Sequence, residues 1–184
     1  TGHLLPDCFH VDIPQQRQDQ AQGCADILGD AVHTVYPFAD GVQPMHDDRA
    51  QLVLNRTWRP TLSYTGIAGM PALENAGNVL RPFTGMKLSF RLPPTADADA
   101  CNDMVKKVFE SDPPSGAHVS FKADKNANGW NATPLADWLG NALEQSSRDH
   151  FGSPAAYMGE GGSIPFMGLL GDKFPAAQFL VTGV

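Results

Sequence analysis

Met86-Lys87-Leu88-Ser89-Phe90-Arg91-Leu92, closed by Pro93-Pro94, carries the clearest structural signal in the chain. Apolar Met86, Leu88, Phe90 and Leu92 alternate with Lys87, Ser89 and Arg91, the period of a strand with one face on a core and the other turned away from it. The two prolines end it, because proline donates no ladder hydrogen bond and restricts the residue before it. Downstream, Thr95 or Asp97 can cap a helix with Ala98, Cys101, Met104, Val105 and Val108 on its buried side. Asp97, Asp99 and Asp103 stand toward its start and Lys106-Lys107 toward its end, as the helix dipole favours. Past the turn at Asp112 to Gly116, Ala117 to Ala123 alternates through Val119 and Phe121 and predicts a second strand. Upstream, Thr61 to Thr65 alternates through Leu62 and Tyr64 and predicts a third, joined to Met86 by a connection rich in glycine and turn residues. Gln51 to Trp58, with Leu52-Val53-Leu54 consecutive, fits helix or strand and is bounded by Pro60. Tyr36 to Asp48 reads as a surface loop. Gln15 to Val32 places Ala21, Cys24, Ile27, Leu28 and Ala31 at helical spacing, with Gly29 able to end that helix early, and Phe9 to Ile13 reads as a short strand. The implied class is α+β, an antiparallel sheet covered on one side by two helices.

At Asn126 to Asn131 the composition shifts to asparagine, glycine and alanine around Trp130, and the expected domain boundary lies there, dividing residues 1–130 from 131–184. Thr133-Pro134 has the form of a cap followed by proline at the first helical position, with Leu135, Trp138, Leu139, Ala142 and Leu143 inside a helix running to about His150. A strand over Pro154 to Met158, a helix from Ser163 through Leu170 and a buried strand from Ala176 to Val184 complete a βα-type alternation, a partial α/β segment. The last strand stops without a polar tail, which reads as a piece of a longer protein.

Composition narrows the partners. The 184 residues are 42% hydrophobic and 18% charged, with a formal charge of −7. That is a folded chain with no membrane-spanning run and no basic surface for nucleic acid. Cys8, Cys24 and Cys101 are too few and too scattered for a zinc or redox motif, and they point to a reducing, cytoplasmic home. Cys24 and Cys101 read as small core residues. Among the six histidines no pair has helical ligand spacing, and His46-Asp47-Asp48 reads as a solvated turn. The remaining feature is Tyr157 to Met167, where Gly161-Gly162 frees the backbone and Ser163 can cap the next helix. Such a turn aims backbone N–H groups at one spot and suits a carboxylate ligand. The plainer reading is a capped turn with Glu160 as a solvated acid. Ser163 is no nucleophile elbow, since Pro165 stands where glycine is needed.

Gly159-Glu160-Gly161-Gly162-Ser163-Ile164-Pro165, followed by Phe174-Pro175-Ala176-Ala177-Gln178-Phe179 and Val181-Thr182-Gly183, resembles the C-terminal catalytic segment of a di-zinc exopeptidase family. Its members include carnosinase, cytosolic non-specific dipeptidase, glutamate carboxypeptidase and aminoacylase. Trp58-Arg59-Pro60, Thr65-Gly66, Asn78-Val79-Leu80-Arg81-Pro82 and Leu88 to Pro94 are similar to the same family's lid, or dimerisation, domain. The likeness runs from about Leu52 onward and is nearest to bacterial dipeptidases of the carnosinase type.

The resemblance implies a lid, made of an antiparallel sheet with two helices, joined to part of a phosphorylase/hydrolase-like catalytic domain. Lids pair across a homodimer in this family. The arginine matching Arg91 holds the substrate carboxylate of the partner subunit's site, a task suited to a bidentate guanidinium. Asn78 matches a lid residue near the substrate, and Glu160, Gly161, Gly162 and Ser163 match residues lining the pocket. There Glu160 would hold a substrate amine, and Gly159 replaces a frequent arginine. The implied cofactor is a pair of zinc ions whose bound water attacks the amide of a dipeptide or short peptide. The family's metal ligands and general base match nothing in this chain. The resulting expectation is a fragment of a metallo-dipeptidase, itself inactive, with no catalytic or metal-ligating residue. The alternatives are a deacylase of N-acyl amino acids, and a non-catalytic dimerisation or binding module on the same fold.

Overall fold

The computed structural model describes residues 6–160 and 165–182, which form an α+β chain of six α-helices and one two-stranded sheet among the described residues. The helices are α1 (Gln15–Leu28), α2 (Ala31–Thr34), α3 (Arg49–Thr57), α4 (Ala98–Glu110), α5 (Asp137–Phe151) and α6 (Pro165–Lys173). The strands β1 (Thr61–Ala68) and β2 (Gly85–Arg91) pair antiparallel from Thr61 opposite Arg91 to Ala68 opposite Gly85. The register slips between Tyr64 and Gly66, leaving Thr65 as an extra residue whose hydroxyl donates to the Lys87 carbonyl at 3.3 Å. Gly69, just past β1, has φ of 78°, and a Cβ there would lie 2.2 Å from the Phe83 carbonyl oxygen, so only glycine fits.

The alternation of β2 is real over most of its length: Leu88, Phe90 and Leu92 are half-buried while Ser89 and Arg91 are exposed. Met86, expected on the core face, is instead 57% exposed, because α4 covers only the far end of the strand. Of the two caps the sequence offered, Asp97 rather than Thr95 starts α4, its side chain accepting from the amides of Asp99 and Ala100. Ala98, Cys101 and Val105 are buried beneath it, but Val108, expected on the same face, is 55% exposed.

Two apolar clusters hold the chain. In one, Phe9, Ala96, Cys101 and Val105 pack with Phe90 and Leu92, and Phe9 stacks on Phe90 at 5.4 Å between ring centroids. In the other, Ala21, Val32, Val53, Leu54 and Trp58 join α1, α2 and α3. Val11 touches both, which makes the N-terminal segment a seam between them. The expected strand at Phe9 to Ile13 is therefore a short 3-10 turn over Asp7–Phe9 followed by irregular chain, its apolar side chains used for packing rather than for a ladder.

Four further expectations are corrected. Ala117 to Ala123 forms no strand: the Phe121 amide donates to Glu110 Oε1 at 2.6 Å and its ring stacks on Phe109, so α4 takes the partner that a sheet neighbour would have been. Pro154 to Met158 and Ala176 to Thr182 form no strand either; Ala155 and Ala136 give their amides to the side chains of Glu144 and Gln178. The helix expected from Thr133-Pro134 begins only at Asp137, without a side-chain cap. The chain at Asn128-Gly129 is closely fitted, since Gly129 would place a Cβ 2.5 Å from Pro94 Cα and Asn128 accepts from the Ala98 amide. Trp130 meets Phe179 edge-on at 5.4 Å.

Candidate functional site

Gly159 and Glu160 are held against α3. Asp48 Oδ1 accepts from the amides of Ala50 and Gln51, which starts the helix and accounts for the His46-Asp47-Asp48 cluster as a cap. Ala50, Val53, Leu54 and Thr57 are buried, which resolves the helix-or-strand ambiguity of this stretch by burying one helical stripe. Arg56 Nη2 donates to Glu160 Oε1 at 2.6 Å, across 104 residues of sequence. Its guanidinium also lies 5.7 Å from the centroid of the Tyr36 ring. Beside it, a Cβ built on Gly159 would sit 3.5 Å from Thr57, so the backbone at Gly159 runs against α3. Glu160 is thus not simply a solvated acid. Its side chain is 69% exposed, however, so the pair contributes on the order of 1 kcal/mol or less to stability, and its main effect is to aim the carboxylate.

The approach to this turn is tethered from α5. Glu144 Oε2 accepts from the Ala155 amide at 2.9 Å, and Glu144 Oε1 accepts from Arg148 Nε at 2.6 Å. The Ala155 amide, with Arg148, holds the Glu144 carboxyl below its ordinary range. Between residues 155–157 and α1 runs a groove of about 410 Å³, lined on the helix side by Gln16, Asp19, Gln20 and Cys24 among others. A smaller recess of about 250 Å³ lies at the start of α3 beside Asp26, Asp47 and Asp48.

The residues singled out by sequence are positioned by separate elements. Arg91 is exposed at the end of β2 opposite Thr61, and Asn78 is exposed in the connection between the strands. Neither groove is lined by Arg91, Asn78 or Glu160. Gly161, Gly162 and Ser163 lie outside the described residues. Sequence reasoning missed Arg56, Tyr36, Thr57 and Glu144, the residues that hold the turn; their partners are distant in sequence, and no local pattern marks them. Among the described residues no group of three or more His, Cys, Asp or Glu side chains comes together that could hold a metal ion. No helix among them is long and apolar enough to cross a membrane.

No protein-family model matches the chain, and no curated protein sequence matches it. Solved structures do. Human carnosine dipeptidase 1 superposes with a TM-score of 0.64 at 19% identity, over 93% of this chain and 36% of its own. The dipeptidase Dug1p from Saccharomyces cerevisiae gives 0.61 at 20% identity, over 92% and 35%. The M20 family metallo-carboxypeptidase Sso-CP2 from Sulfolobus solfataricus gives 0.61 at 15% identity, over 92% and 37%. The chain spans about a third of the length of these structures. The likeness read from the sequence motifs is therefore borne out as one of fold: nearly all of this chain takes the arrangement of part of a metallopeptidase.

Proposed function

We propose that this chain is part of a metal-dependent dipeptidase or exopeptidase that hydrolyses the amide bond of dipeptides or short peptides. The observation that carries this reading is the superposition of more than nine-tenths of the chain on three metallopeptidases of which it spans about a third. Residues 1–130 are assigned to the lid and 131–184 to part of the catalytic domain. The exposed apolar side chains of the strand unit, including Ile67, Leu73, Leu80 and Phe83, support pairing of two lids in a homodimer. Three free cysteines fit a cytoplasmic protein.

The described residues offer no ligand cluster that would fit a di-zinc centre. The two zinc ions and the bond-breaking step are therefore assigned to the remainder of the parent protein. What this chain supplies is recognition. Arg91, exposed at a strand end, suits a substrate carboxylate, with Asn78 beside the substrate on the same unit. Glu160 has one oxygen held by Arg56, and its Oε2 has no partner among the described residues, which leaves it able to accept from a substrate ammonium. Gly161, Gly162 and Ser163 are assigned to the polar ends of the substrate.

The test uses the full-length gene product with added zinc, assayed on free dipeptides and on N-acyl amino acids. Dipeptide hydrolysis is expected, with Arg91→Gln raising KM at least tenfold for substrates bearing a free carboxylate, a loss of about 1.4 kcal/mol or more. The 184-residue chain alone is expected to release no amino acid. Activity confined to N-acyl amino acids would move the assignment to a deacylase, and activity on neither would leave only the binding-module reading.

A further inference from the structure

Cys8 and Cys101 stand 93 residues apart in the sequence and are brought together by the fold. Cys101, on the buried side of α4, places its Sγ 3.0 Å from the carbonyl oxygen of Cys8 and donates to it. Both are anchored. Cys8 sits in the 3-10 turn Asp7–Phe9, whose Phe9 is 1% exposed, and Cys8 packs against the cluster that contains Cys101.

We propose that Cys8 and Cys101 are a redox-responsive pair that closes to a disulfide when the chain meets an oxidised low-molecular-weight disulfide, stapling the N-terminal turn to α4. The two thiols differ in access, and that sets the order of events. Cys8 is half-buried, whereas Cys101 is 2% exposed. Burial first, then the neighbouring Cys8, pushes the Cys101 thiol up to about 12, so it is not the group that meets the oxidant. Cys8, as thiolate, attacks one sulfur of the small disulfide, forming a mixed disulfide and expelling one small thiolate. Cys101 then gives up its proton as its sulfur attacks the Cys8 sulfur, expelling the second small thiolate. The protein loses two electrons and two protons, and the small disulfide takes up both pairs as two thiols. Cys24, buried in α1, belongs to neither core contact and stays reduced.

The chain is incubated with oxidised glutathione under native conditions, quenched in acid, unfolded, alkylated and mapped by mass spectrometry. The expected result is loss of two of the three free thiols, a single linked peptide pair containing Cys8 and Cys101, and alkylated Cys24. The oxidised chain should melt at higher temperature than the reduced one, a difference erased by dithiothreitol. Cys101→Ser should stop at one glutathione on Cys8. A wild-type chain that keeps all three thiols, stops at the mixed disulfide, or links through Cys24 overturns the proposal. The wild-type map decides it even if the serine variant folds poorly.

Discussion

The chain up to Val105 and the chain beyond it are built differently. Every fully buried side chain among the described residues lies between Phe9 and Val105; from Lys106 to Thr182 there is none. The second region is not short of apolar residues, since Trp138, Phe151, Phe166, Leu169 and Phe174 are all there and all exposed. What differs is how each region is held. The first buries two clusters on either side of Val11. The second relies on tethers: Arg17 to Asn131 and the Ala132 carbonyl, Gln178 to the Ala136 amide, Glu144 to Ala155 and Trp130 to Phe179. A region that makes good helices yet leaves these large apolar side chains exposed is held by point contacts rather than by a buried core.

The contrast can be broken most decisively at two phenylalanines. Phe9→Ala should cost about 3–5 kcal/mol in equilibrium denaturation, whereas Phe166→Ala, at 58% exposed, should stay within about 1 kcal/mol. Equal costs would show that the second region has a core of its own. Trp130→Ala should release the C-terminal segment, raising amide exchange in α6 and residues 174–182 by the equivalent of about 1–2 kcal/mol while leaving α4 protected.

Helix starts offer a finer probe. Asp97→Ala removes the cap of α4 and should cost about 1 kcal/mol. Ala136→Ser supplies α5 with a cap it lacks and should stabilise that helix by roughly 0.5–1 kcal/mol, read in its own amide exchange. The smallest expected effect is one of pH. Folding favours ionised Glu144, chiefly through the Ala155 amide, so this tether is intact above the ordinary glutamate value of 4.5 and weakens as pH falls below it. Loss of Ala155 amide protection on acidification, with no such pH dependence in Glu144→Gln, checks the sign.

Much of the fold was legible where local chemistry and tertiary structure agree. The alternation of Leu88, Phe90 and Leu92, the Asp97 cap and the Gly29 stop each depend on neighbours within a few residues. The strands expected at residues 117–123, 154–158 and 176–184 are absent from the described parts of those segments. Their alternation marks chain able to pair, but pairing needs an adjacent strand; here Glu110 and Glu144 accept from the amides of Phe121 and Ala155, and Gln178 turns its own side chain to the Ala136 amide. The candidate site was half legible. Glycines and an acid in sequence suggested a turn, but the arginine that orients Glu160 lies 104 residues away on a stretch that read equally as strand or helix.

By itself the sequence determined the α+β class, the main helices, the best strand and the likeness to metallopeptidases, because periodicity, capping and motif spacing are local properties of the chain. Only the tertiary structure decided that Arg56 holds Glu160, that Cys8 meets Cys101, and that the second region is tethered rather than buried. Those are contacts between residues distant in sequence, chosen by which apolar faces find each other in three dimensions.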